Sequence, residues 1–157
     1  MQSITKLFLY LLLTLGISVQ SSVQNEYSSF SVIGNNNVIN KPGAIELGFK
    51  FALKDGWHGD TSKMFLIGKA QSHNERLVRV TQECLYKGIE AARPGAKLGD
   101  IGNAIQIHAE KNYYSVVEEY CGHGIGKIYH DEPQILHYGE PNTGQEIIEG
   151  MCFTIEP

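Results

Sequence analysis

Three short stretches of this chain concentrate side chains that can hold a cation or move a proton. "HGDTS" carries Asp60, "YCGHGIGKIYHDEP" carries His123 and His130, and "FTIEP" carries Glu156. A single imidazole is most often a surface group or a hydrogen-bonded core group, and a glycine-rich stretch is most often a loop. His123 stands apart because Gly122, Gly124 and Gly126 alternate around it. Glycine lets backbone or ligand approach where a side chain would block it, so the glycines are expected to keep the wall around His123 low enough for a ligand to enter. Two carboxylates with one imidazole suit a divalent ion such as cobalt, manganese, iron or zinc, whereas a structural zinc would draw on thiolates. The chemistry of such a set is hydrolysis by metal-activated water. Each acid also has a plainer role, Asp60 as a turn cap and Glu156 as an exposed strand end.

The hydropathy pattern outlines the elements that must position these groups. Leu47, Phe49, Phe51 and Leu53 alternate with Gly48, Lys50 and Ala52, which is the period of a half-buried strand. Lys54-Asp55-Gly56 supplies turn chemistry, and a second strand carrying Asp60 is expected from about Trp57 to Gly68. Ser72 and Glu75 form a capping-box pattern. Leu77, Val80, Cys84 and Ile89 then recur at helical spacing until Pro94-Gly95 stops the run. Ile101, Ile105 and His108 or Ala109 predict a second helix ending near Asn112. "YYSVVEEYC" and "MCFTIEP" read as further strands. Helices beside hairpin-joined strands predict an α+β fold with an antiparallel sheet and flanking helices, not a doubly wound parallel sheet.

The 157 residues fit one domain, and 42% apolar with 19% charged content is that of an ordinary folded chain. With 13 basic against 17 acidic residues, the net charge of -4 offers no footprint for nucleic acid. Cys84, Cys121 and Cys152 are too widely spaced for a zinc motif and odd in number, so reduced thiols are expected. Lys6 precedes the apolar run Leu7 to Val19, so residues 1–22 read as a signal-like or anchor segment that would bring the chain to a membrane or export it. Three thiols in an oxidising compartment argue against export. Residues 23–43, with "GNNN" and "KPG", read as a linker or irregular lead-in, and 44–157 as the folded domain. Nothing in the sequence sets an oligomeric state.

"DGWHGDTSKMF" (55–65), "EYCGHGIGKIYHDEPQILHY" (119–138) and "GMCFTIEP" (150–157) closely resemble, in order and separation, the type I methionine aminopeptidases. "TQECLYKGIEAARPG" and "LGDIGNAIQ" are similar to that family's intervening helices. The resemblance implies a partial pita-bread fold of the creatinase/aminopeptidase kind and a dinuclear metal centre. It also implies removal of the initiator methionine from nascent proteins in the cytoplasm. Carried over by position, Asp60 resembles the bridging carboxylate, His123 the imidazole ligand, and Glu156 a ligand carboxylate, which is also the candidate to shuttle a proton. His130 resembles the catalytic histidine that contacts the substrate amide, and is expected across the substrate from His123.

The chain departs from the family at three places. An upstream aspartate ligand falls at Phe49 here, and the family's substrate-facing histidine has no counterpart in 23–48. The strands that follow in the family, with a last glutamate ligand, have no counterpart up to Pro157. Residues 44–157 are therefore expected to form an incomplete catalytic domain holding at most one ion where the family holds two, and Phe49→Asp is expected to tighten that ion. The alternative from another class is an inactive remnant that serves as a peptide- or protein-binding module.

Overall fold

The computed structural model describes residues 27–33, 43–53 and 55–157, the first two stretches and Ile67 by backbone alone. Strands β1 (Tyr27–Ile33), β2 (Gly43–Leu53) and β3 (His58–Ile67) form one antiparallel sheet in the order β1-β2-β3. β2 and β3 are the two strands expected from the alternation and the Asp55-Gly56 turn. β1 departs from expectation, because it stands inside the stretch read as irregular lead-in. Phe30 and Val32 alternate there with Ser29 and Ser31, a strand period obscured by the turn residues that follow. The signal-like segment 1–22 lies outside the described residues. Among the described residues, no helix is long and apolar enough to cross a membrane.

Two helices follow, α1 (Ser72–Ala91) and α2 (Leu98–Lys111), packed against each other. Both lie where the apolar spacing put them, but two details of α1 differ. Its N-cap is Gln71, with no side-chain capping bond, so the Ser72–Glu75 box does not form. The first free amides, of Asn74 and Glu75, donate instead to the Gln71 carbonyl. Its buried positions are Val80, Cys84 and Gly88, whereas Leu77 and Ile89 are exposed. Gly88 sets that face, since a Cβ there would stand 2.8 Å from Ile105 Cδ1, and its absence lets α1 settle onto α2. At α2 the Lys97 amide donates to Asp100 Oδ2 at 2.7 Å, capping the first turn.

The helix pair and the second sheet enclose the core of Val80, Cys84, Leu98, Ile101, Ile105, Ala109, Ile135 and Ile147. β4 (Gly122–Gly124) and β5 (Asp131–Ile135) are the two antiparallel strands of that sheet. The strands expected at "YYSVVEEYC" and "MCFTIEP" do not form. Tyr114 and Val116 pack against the core as irregular chain. The C-terminal stretch makes only an isolated bridge, Gly124 to Phe153. A strand needs a partner backbone along its length, and β4 is three residues long. All three cysteines are free thiols, as expected, and burial raises the pKa of Cys84.

One buried polar group makes the fold pH-sensitive. His137 is 2% exposed, and burial lowers its pKa from 6.5 to about 4. The unfolded chain therefore binds a proton that the folded chain refuses between those values, and stability falls as pH falls through that window. The expected loss is roughly 3 kcal/mol between pH 7 and pH 4, at about 1.4 kcal/mol per pH unit. Urea unfolding at both pH values checks it, with His137→Gln, which carries no titrating ring, expected to lose less by about that amount.

Candidate metal centre

Asp60, His123 and Glu156 come from three separate parts of the chain and converge. Asp60 is near the start of β3, where the His58 amide and the His58 Nδ1–H both donate to the Gly126 carbonyl, at 2.8 and 3.0 Å. That pair of bonds ties β3 to the glycine segment. His123 is the middle residue of β4 and is held from the other side by Thr154. The His123 amide donates to Thr154 Oγ1 at 2.9 Å, and the Thr154 amide donates to the His123 carbonyl at 2.8 Å. Glu156 follows two residues later on the same C-terminal segment, so the bonds that position His123 also deliver Glu156.

Gly122 and Gly124 serve this packing, which corrects, for those two, the expectation that they hold open a path for ligand. A Cβ on Gly122 would lie 2.2 Å from the Thr154 carbonyl oxygen, and one on Gly124 would lie 2.2 Å from that of Glu132. Backbone cannot yield as a side-chain tip can. Gly124→Ala is thus expected to cost about 1–3 kcal/mol of stability, the range for overpacking, and to weaken metal binding by displacing β4. Thermal melting and a manganese titration of the variant check both.

Within the cluster, His123 Nε2 lies 3.4 Å from Glu156 Oε1 and 3.8 Å from Asp60 Oδ2. All three donor atoms lie within 4.8 Å of one another. The His123 Nδ1–H donates to the Gly124 carbonyl at 2.9 Å, which leaves the Nε2 lone pair aimed at the carboxylates, the tautomer a metal ligand needs. Donors at about 2.0–2.2 Å from an ion stand roughly 3–3.5 Å apart, so small side-chain movements close the set. Two carboxylates at this range repel by on the order of 3 kcal/mol at an effective dielectric near 20, and a divalent cation reverses that sign. The donor set fits such an ion.

Beside this cluster sits Tyr129, a group that sequence reasoning passed over. The Tyr129 hydroxyl donates to Asp60 Oδ2, and burial together with the Asp60 carboxylate pushes its phenol above the ordinary range. Its ring meets those of His58, His123 and His130. An aromatic beside a histidine in a glycine-rich loop was the available signal. His130 stands edge-on to His123 with ring centroids 4.4 Å apart. No peptide fits between rings that close, so His130 is beside His123 on the same wall and not across a substrate from it. The bends over 126–130 fold the segment back and bring the rings together. A cleft of about 500 Å³ opens here, lined by Tyr120, Cys121, His123, His130, Glu132 and Glu156 among others.

The register of the first sheet bears on Phe49. Asp60 pairs with Lys50 and Phe49 pairs with Thr61, so position 50, not 49, stands directly across from Asp60.

The α+β scaffold thus gathers two carboxylates and an imidazole beside one cleft, a group of donors that could hold a divalent ion. A sequence profile of metallopeptidase family M24 matches residues 13–157. The chain belongs to that family. It is 57% identical over 105 residues to the methionine aminopeptidase of Rickettsia prowazekii and 54% identical over 105 residues to that of Escherichia coli K12. Each match spans 67% of this chain and 40% of the relative, so the chain accounts for well under half of the curated relatives it matches. The crystal structure of the Rickettsia enzyme superposes with a TM-score of 0.71 at 52% identity, covering 73% of this chain and 46% of that one. The Thermotoga maritima methionine aminopeptidase gives 0.68 at 36%, covering 71% and 45%. A dipeptidase from Mycobacterium ulcerans at 20% identity shares the fold, with a TM-score of 0.71 over 85% of this chain and 39% of that one. The partial pita-bread architecture is thereby shown.

Proposed function

We propose that residues 44–157 are the metal-holding part of a methionyl metalloaminopeptidase and act on the N-terminal methionine of a peptide or nascent protein in the cytoplasm. The observation that carries the reading is the convergence of Asp60, His123 and Glu156, with His123 Nε2 turned toward both carboxylates. Those three residues would hold one divalent ion, of cobalt, manganese, iron or zinc. Such an ion, when bound, supplies Lewis acidity toward a peptide carbonyl and toward water.

The chain's own groups account for the rest. Hydrolysis consumes one water, breaks the peptide C–N bond and must deliver a proton to the departing amine. Glu156, with its side chain 47% exposed at the cleft, can accept the proton from water and pass it on. His130 is exposed on the cleft wall, where its N–H can donate to the oxygen that gains charge as the carbonyl is attacked. A methionine-first tripeptide incubated with the chain and manganese or cobalt is expected to release methionine, and Asp60→Ala is expected to release none. Equal release by the two proteins would sink the reading.

A further inference from the structure

We infer that His137 is a positioning residue for the metal centre, holding Glu156 in reach of the ion through that residue's backbone. The inference rests on the metal-binding role proposed above and names a residue outside the ligand set.

Glu156 enters the site with little to fix it. Its side chain is 47% exposed, it lies outside any strand, and the last bridge in its segment is at Phe153. The Thr154–His123 bonds anchor the segment two residues earlier. Beyond that point one bond is available to Glu156 itself, from its amide to His137 Nε2 at 3.0 Å. His137 is 2% exposed and follows β5, the strand that pairs with β4 and so with His123. The imidazole therefore joins two ligands through the protein interior, His123 by the β4–β5 pairing and Glu156 by the amide bond. The amide is the donor in this bond, so His137 Nε2 serves as its acceptor. Glutamine offers an acceptor of similar reach, whereas leucine fills the volume and offers none. Loss of a group that orients a metal ligand typically costs about 10- to 100-fold in affinity.

The experiment has two arms. Manganese affinity is measured by calorimetry for the parent, His137→Leu and His137→Gln, with circular dichroism to establish folding and Ile101→Val as a core variant away from the site. His137→Leu is expected to lose about tenfold or more in affinity, His137→Gln to recover most of it, and Ile101→Val to match the parent. Parent-like affinity in folded His137→Leu overturns the inference and leaves the metal site standing. A parent that binds no manganese overturns the metal reading and this inference together. The second arm needs no variant and stands if the leucine protein does not fold. In the 15N-labelled parent, a nitrogen–nitrogen coupling across the Glu156 amide–His137 bond is expected, and its absence overturns the inference.

Discussion

His123→Ala is expected to abolish divalent-ion binding, and His130→Ala to leave it nearly unchanged. The two imidazoles are 4.4 Å apart at their centroids, yet only His123 belongs to the donor set. Its Nδ1–H is committed to the Gly124 carbonyl, which fixes the ring and presents Nε2 to the ion. Removing it leaves two carboxylates, one half exposed and hydrated. The expected loss is more than about 100-fold, since disturbing only the hydrogen-bond partner of a ligand already costs about 10- to 100-fold. His130 should instead change turnover of a methionine-first peptide. Manganese titrations of the two variants decide between these roles, and equal losses in both would place the ion between the rings, contrary to the donor set described.

Lys50→Asp is expected to tighten the bound ion by about tenfold or more, and by more than Phe49→Asp. Residues directly opposed across antiparallel strands have Cβ atoms about 4.5–5.5 Å apart, and position 50 is the one opposed to Asp60. The exchange removes a positive charge and adds a negative one, a change of two units at the position opposed to the proposed ligand Asp60. At an effective dielectric near 20, one unit charge at 8 Å is worth about 2 kcal/mol, so two support a tenfold gain after side-chain ordering is subtracted. Position 49 is opposed, backbone to backbone, to Thr61. Calorimetry on both variants gives the order, and a larger gain from position 49 would mean that β2 pairs one residue out of the register described here.

The candidate ligands were legible because their types and the residues around them survive as short sequence signatures, and those signatures do not depend on how the intervening chain folds. The helices were legible because Val80, Cys84, Ile101 and Ile105 recur at helical spacing over long segments. What failed were features decided by partners. "YYSVVEEYC" has strand composition, but only Tyr114 and Val116 pack against the core, Tyr113, Val117 and Tyr120 stay exposed, and its backbone pairs with no strand among the described residues. "MCFTIEP" spends its bonds on scattered contacts with His123, Ile125 and His137. The purpose of Gly122 and Gly124 was likewise set by carbonyls distant in sequence, at Thr154 and Glu132. His137 carried no signal at all in the sequence, because its importance lies in one bond to a backbone amide.

The number of ions bound per chain tests the account most directly. Asp60, His123 and Glu156 are the only group of three or more such donors among the described residues, and three ligands with open positions for water make a workable site for one ion. Calorimetric titration of the whole chain with manganese at neutral pH is expected to give one ion per chain, and none in Asp60→Ala. Two tightly bound ions per chain, or one retained by Asp60→Ala, would contradict it.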